Sequence, residues 1–403
     1  MKITQNAHLT YCTNIHPGKT WFQVLDSLQN VFVVKKKLKA KVPFGIGLRL
    51  SAQASEQLGT GKKLKAFNKW LQKNNCYVFT MNGFPYGGFH RTVVKDQVHA
   101  PDWTTKERVV YTKRLFDQLT VLLPKEQIGG ISTSPISYRF WHKTPKKLQK
   151  ATEKGAKNMI KVVAHLMKIK AQTGKSMHLD IEPEPDGILE NSREFIDFFE
   201  KVLVKIGVPQ LVKKMDCSEA EAKAAIYEHI QLCYDVCHFA VEYEDPKPIL
   251  KKLKKKGIRV GKIQISAAIK TKLTHSKRDR KIVKKSLEPY NESTYLHQTV
   301  FQTKAGSIEQ FPDLGPALAV IDNPEYTELR THFHVPIFTD TYGSLQSTQD
   351  EISKVLKLWK AKPFSQHLEI ETYTWEVLPE NNRLSLTDSI TREMGWVLGK
   401  VMK

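Results

Sequence analysis

Residues 232–238, Leu-Cys-Tyr-Asp-Val-Cys-His, form a short apolar run that ends by presenting Asp235 and His238. A strand whose side chains alternate in direction turns Asp235 to one face, and the turn that follows brings His238 back beside it. A carboxylate and an imidazole displayed together at the C-terminal end of a strand are one way divalent-metal sites are built. The same pair also serves as an ordinary ion pair, and on this stretch alone the ion pair is favoured. The metal reading gains only if other strands deliver further ligands to the same place.

Working outward, strand-like runs occur at 9–16, 44–51, 76–81, 128–135 and 177–182 before it, and at 259–266 and 366–373 after it. Apolar residues at helical spacing separate them. Phe22, Leu25, Leu28 and Phe32 mark a helix over 21–38, and Leu64, Phe67, Trp70 and Leu71 mark the next. Further helices are predicted at 104–123 (N-cap Thr104 or Thr105), 148–173, from Ser192 with that serine as cap, 218–229, 246–256 and 384–402. Strand and helix alternating along a whole chain argue for a parallel sheet with helices outside it, and eight such units close into a barrel. No Gly-x-Gly-x-x-Gly turn follows the first strand to argue for a dinucleotide fold. The expectation is therefore an α/β protein, one (β/α)8 TIM barrel domain spanning 1–403.

One region breaks the repeat. Residues 267–345 read as an elaborated loop after the seventh strand, lying over the barrel mouth. Within it, 270–285 is a basic exposed arm, and 295–301 with 308–311 form a hairpin around Ala305-Gly306. Residues 331–338 are strand-like, and 348–360 a helix leading to the last strand. A loop of that length in a compact domain is usually functional.

Composition narrows the class. A hydrophobic share of 40% with 26% charged residues is that of a chain able to bury a full core. No apolar run reaches the roughly 18 residues of a membrane span, and the N-terminus has no apolar signal core. Five cysteines, an odd and sparse set, point to reduced thiols and a cytoplasmic home. Cys233 and Cys237 lack zinc-ribbon partners and read as small buried side chains. The net charge of +22 would suit nucleic acid, but only 12 of the 63 basic residues are arginine, the better phosphate reader. Solvated helix faces, such as 251–256, account for the lysines.

Reacting groups in such a barrel sit at the C-terminal ends of strands. The candidates there are Asn82 and His90, Glu182 and Glu184, Asp235 and His238, Gln264, His332 and His334, and Glu369 and Glu371. Alternation puts Asp180 with Glu182, and Glu369 with Glu371, on a common face. Inward carboxylates are costly unless paired or bound to a cation. With the lysines on helices, a divalent cation is the simplest supply of positive charge; the plainer alternative is a ring of salt bridges using Arg49 and Arg139. An oxygen-rich set with one or two imidazoles or an amide suits Mn, Mg, Co or Zn and does not choose among them.

Glu182, Asp235 with His238, and Glu371 resemble, in type and order, the ligands of the xylose isomerase-like TIM barrels, which include ketose epimerases, inosose dehydratases and endonuclease IV. The more specific resemblance is to the EboE family of metabolite traffic proteins. It spans nearly the whole chain and rests on 8–18 (HLTYCTNIHPG), 82–87 (NGFPYG), 182–185 (EPEP), 235–238 (DVCH), 332–336 (HFHVP) and 369–375 (EIETYTW). It implies a divalent metal cation held by Glu182, Asp235, Gln264, His334 and Glu371, with Gln264 standing where the superfamily has a histidine. Glu182, Glu371 and His238 would then be catalytic, with Asn82, His90, Glu184, His332, Glu369 and Trp375 around the substrate. The partners implied are a polyol or sugar-like metabolite and proteins from the same gene cluster, in processing or export of a secondary-metabolite precursor. Two alternatives stand beside the isomerase or epimerase: a non-catalytic metabolite-binding or scaffold protein, and an endonuclease IV-like nucleic-acid enzyme. The last ranks lowest, because that family carries more histidines on its second to fourth strands and only His90 is available there.

Overall fold

The computed structural model describes residues 1–88, 93–374 and 385–402. Seven strands come first in the chain: β1 (His8–Tyr11), β2 (Phe44–Arg49), β3 (Cys76–Asn82), β4 (Gly129–Thr133), β5 (Met177–Ile181), β6 (Ile230–Asp235) and β7 (Val260–Ile265). A six-stranded insertion follows: β8 (Ile269–Lys272), β9 (Thr299–Thr303), β10 (Ile308–Phe311), β11 (Tyr326–Thr331), β12 (Thr341–Tyr342) and β13 (Leu345–Ser347). The last barrel strand is β14 (His367–Ile370). All eight predicted barrel strands are present, and every residue in them is buried, as expected where helices cover one face and the barrel interior the other.

The strands run parallel in the order β1-β14-β7-β6-β5-β4-β3-β2. The ring closes between β1 and β2 through one parallel bridge, Cys12 to Gly47. Threonine side chains complete that seam. Thr10 Oγ1 donates to the Gly45 carbonyl and accepts from Gly47 N, both at 2.9 Å, and Thr13 Oγ1 accepts from Arg49 N at 2.9 Å. Gly47 is required here: a Cβ would run into the Glu369 carboxylate and lie 2.7 Å from the Tyr11 carbonyl oxygen. The protein is thus a (β/α)8 barrel.

The helices form where caps were legible, with several differences. Thr105 caps Lys106–Leu122 and Ser218 caps Glu219–His229. Asn191, not Ser192, caps Ser192–Phe198, because the serine side chain is drawn away to Glu244. The predicted 21–38 helix is two, Trp21–Ser27 and Gln29–Lys37, joined at Leu28. A short helix, Ala52–Leu58, precedes Lys62–Lys73 and was not anticipated.

The insertion is an antiparallel sheet in the order β10-β9-β11-β8-β13-β12. The β9–β10 hairpin turns at Ala305-Gly306 as expected. The predicted basic arm is instead the strand β8, paired on both sides, followed by the helix Lys277–Leu287. The predicted strand-like run 331–338 is not a strand: only Thr331, the last residue of β11, is paired in the sheet, because His332 and His334 leave the ladder for the barrel mouth and Val335 N bonds back to Ala267 O. Apolar residues of the insertion, such as Phe301, Leu329, Phe333 and Val335, belong to the same buried cluster as the barrel core. Among the described residues no helix is long and apolar enough to cross a membrane, and all five cysteines are free thiols.

Candidate metal centre

The barrel interior carries two tiers of polar groups. In the lower tier Lys262, from β7, donates to Glu369 Oε2 at 2.6 Å and to the Met81 carbonyl at 3.0 Å, with both charged side chains fully buried. Burial works against the ammonium, yet Glu369 and the nearby thiols hold its pKa above the ordinary value. His178 Nδ1 meets Asp180 Oδ1 at 2.6 Å. The lysines are therefore not all on helices, and the inward-facing Glu369 is paired with one of them through Oε2, while its Oε1 is buried without a hydrogen-bond partner. Glu369 was expected near the substrate; it lies in the lower tier and is not among the residues lining the mouth cavity.

The upper tier is at the C-terminal mouth. Glu182 follows β5, Asp235 ends β6 and Glu371 follows β14; one oxygen from each lies within 4.8 Å of the others. Neither arginine of the salt-bridge alternative reaches them. Arg49 bonds the Gly18, Pro85 and Gly87 carbonyls, and Arg139 pairs with Glu190 and Glu194. The single lysine among the described residues lining the cavity, Lys95, is bound to Asp313 at 2.6 Å. Burial, then the neighbouring acids, push the Glu182 and Glu371 carboxyls well above the usual range.

Two of the three acids are fixed from outside the centre. Glu371 Oε1 accepts from Asn14 at 2.5 Å and Asn82 at 2.7 Å, and Oε2 accepts from Gln264 Nε2 at 2.5 Å. Asp235 Oδ1 accepts from Ser266 Oγ at 2.7 Å and, as the N-cap of Val236–Val241, from His238 N at 3.1 Å. The other atoms, Asp235 Oδ2 and Glu182 Oε2, are buried with no partner. Two buried acceptors of that kind cost several kcal/mol unless a cation meets them.

The imidazoles have the matching form. His334 Nδ1 donates to the Glu371 carbonyl at 2.8 Å, and His238 Nδ1 to the Pro183 carbonyl at 3.0 Å. A carbonyl only accepts, so the proton sits on Nδ1 and each Nε2 is a bare lone pair, as in ligating histidines. Burial holds both rings neutral, with the His334 pKa lowered to about 4. His334 Nε2 is unpartnered and lies 3.9 Å from Asp235 Oδ2. The Asp235–His238 contact is 4.0 Å with a neutral ring, so an ion pair does not account for the two. These donors fit a divalent cation.

The remaining predicted residues are distributed as follows. Gln264 reaches the centre through its amide nitrogen; its oxygen, the atom able to ligate, accepts from the Cys233 thiol at 2.7 Å. Asn82 is committed to Glu371, and Glu184 and His332 line the cavity beside His238. His90 and Trp375 lie outside the described residues. Sequence reasoning missed Asn14, Lys262, Ser266 and His99. Asn14 sits inside a stretch singled out for other reasons, whereas the remaining three carry no local signal. The mouth cavity measures about 50 Å³, room for an ion and a few waters. A larger one, about 770 Å³, opens among Ser176, Gln231, Lys254, Arg259 and Lys362, near the N-terminal ends of the strands, and has no carboxylate among its described lining residues.

Fold and site together define a (β/α)8 barrel with an acid- and imidazole-lined mouth. No family model matches the sequence, and no curated protein matches it. Among solved structures the chain is similar to an L-ribulose 3-epimerase at TM-score 0.48 and 10% identity, covering 99% of this chain and 95% of that one. It is similar to IolI protein with a bound zinc atom at 0.46 and 12%, covering 98% and 97%. A xylose isomerase-like TIM barrel protein from Mycobacterium smegmatis, in complex with magnesium, gives 0.46 and 9%, covering 100% and 98%.

Proposed function

We propose that this protein is a metal-dependent isomerase or epimerase acting on a polyol or sugar-like metabolite. The observation that carries the reading is the convergence of Glu182, Asp235 and Glu371 within 4.8 Å, with Glu182 Oε2, Asp235 Oδ2 and the neighbouring His334 Nε2 buried and unpartnered and no free cationic side chain among the described lining residues. Those four residues would hold the ion. When bound, a divalent cation polarises a carbonyl or hydroxyl pair and acidifies the adjacent C–H.

The chain supplies the proton transfers. Glu182 and Glu371 would act as bases as well as ligands: their carboxyls are raised in the metal-free protein, and a bound cation would return them to the ionised form a base needs. Asn14, Asn82 and Gln264 hold the Glu371 carboxylate through both of its oxygens. His238, anchored by Pro183, would orient a substrate oxygen from its place in the cavity lining. Gln264 acts here as a positioning residue for Glu371. The insertion brings Tyr295, His332 and His334 into the lining of the mouth cavity and narrows the space around that chemistry.

The resemblance to EboE-type proteins supports a place in processing or export of a secondary-metabolite precursor, and five free thiols support a cytoplasmic setting. The test is solvent exchange. Metal-loaded protein in deuterium oxide should place deuterium at the carbon next to the carbonyl of a ketose or inosose, and Glu182→Ala and Glu371→Ala should not. A loaded sample that leaves every such compound unlabelled overturns the reading.

A further inference from the structure

Beside the centre just described lies a second group of donors that shares no side chain with the ion set of Glu182, Asp235, His334 and Glu371. His238 Nε2 and His332 Nε2 face each other at 3.2 Å. Such a contact ordinarily means one ring donates to the other, and here neither has a proton to give. His238 Nδ1 donates to the Pro183 carbonyl. His332 Nδ1 meets Gln298 Oε1 at 2.7 Å, and the Gln298 amide is oriented by its own Nε2, which donates to the Pro185 carbonyl at 3.0 Å. The oxygen of Gln298 therefore faces His332, whose proton must be on Nδ1. Two lone pairs point at one another in a buried space.

Glu184 closes the third side. One of its oxygens is 3.9 Å from His332 Nδ1, on the protonated side of that ring, and the other is buried without a hydrogen-bond partner. Single ligand atoms of Glu184, His238 and His332 lie within 4.8 Å of one another. His99, fully buried with neither ring nitrogen hydrogen-bonded, stands 3.6 Å from Glu184. Cys237 is the other nearby donor, but its thiol is engaged with the Phe333 carbonyl at 3.2 Å.

We propose that Glu184, His238 and His332 hold a second divalent cation, with His99 at its edge. A bridging cation turns the opposed lone pairs from a repulsion into two bonds and satisfies the stranded Glu184 oxygen. The two sets differ in chemistry. The first is mainly carboxylate oxygen and accepts hard or borderline ions, whereas the second is mainly imidazole nitrogen and selects Zn²⁺ or Co²⁺ over Mg²⁺. The inference goes beyond the isomerase reading and does not require it; if it holds, His238 is a ligand rather than a group that touches substrate directly.

Metal-stripped full-length protein is titrated with Zn²⁺ and separately with Mg²⁺, and bound metal is counted by calorimetry and elemental analysis. Two Zn²⁺ and one Mg²⁺ per chain are expected. His332→Gln and Glu184→Gln should each bind one Zn²⁺, and with Co²⁺ the d–d absorption should fall by about half. Glu184→Gln guards against misfolding of the histidine variant, and the wild-type count needs no variant at all. One Zn²⁺ in wild type, unchanged in both variants but lost in Glu371→Gln, overturns the second site and leaves the first. One Zn²⁺ lost in His332→Gln but kept in Glu371→Gln upholds the second site and removes the first. No bound metal overturns both.

Discussion

Glu371→Gln should reverse the order of stability of the metal-free proteins as pH rises. In the wild type an oxygen of Glu371 lies within 4.8 Å of oxygens of Asp235 and Glu182. Two full charges at about 4.8 Å repel by about 3.5 kcal/mol at an effective dielectric of about 20. Because the carboxyl is raised in the folded state, folding takes up protons. Its contribution is complete below the ordinary value of 4.5 and is lost as pH climbs through the folded pKa. The glutamine removes that loss, but its amide meets Gln264 Nε2 or the Asn14 and Asn82 amides donor to donor, a mismatch of about 1–2 kcal/mol. Near pH 5 the variant should therefore be the weaker protein by about 1–2 kcal/mol. Near pH 8 it should be the stronger by a similar margin, the difference of those two terms. Saturating metal should restore the wild-type lead at pH 8, since a ligand at about 100 times its Kd adds about 2.7 kcal/mol. Urea or thermal unfolding of both proteins at the two pH values, with and without metal, reads all four quantities. A variant weaker than metal-free wild type at every pH, or stabilised by metal to the same degree, would refute the argument that three acids are crowded for a cation's sake.

Other outcomes follow from the same contacts. Lys262→Met strands Glu369 in the core and should cost about 3–5 kcal/mol, whereas Lys262→Met with Glu369→Gln should recover most of it; the coupling in a double-mutant cycle by denaturant unfolding is the check. Gly47→Ala forces a methyl against Glu369 and 2.7 Å from the Tyr11 carbonyl, so the barrel seam should lose about 2–4 kcal/mol, read as a lower urea midpoint. Metal binding at pH 6 should release protons, because Glu182 and Glu371 carboxyls raised by burial must ionise to ligate; calorimetry in two buffers of different ionisation enthalpy measures the number. Gln264→Ala frees one side of Glu371 and should weaken metal binding about 10–100-fold without abolishing it.

The barrel itself was legible because parallel strands buried on both faces read as apolar runs at regular intervals, and 232–238 was one of eight. The acids at 182, 235 and 371 were legible for a related reason: a strand fixes which way its last side chain points. Legibility failed where the cause was distant in the chain. Ser192 is preceded by a better cap and is claimed by Glu244, a side chain far along the sequence. The region 270–285 is rich in lysine, yet β8 is a central strand because β11 and β13 pair with both its edges. Gln264 has a ligating oxygen on paper, and only the neighbouring Cys233 thiol decides that this atom faces away.

Sequence alone determined a strand-and-helix alternation that closes into a ring and the acidic residues its strand ends display, since both are set by local periodicity and side-chain direction. Tertiary structure alone decided how those charges are met. A buried lysine neutralises Glu369 in the lower tier, while backbone carbonyls from separate segments lock the His238 and His334 protons on Nδ1 and leave their Nε2 lone pairs bare. Such partners lie too far apart in the chain for any local pattern to announce them.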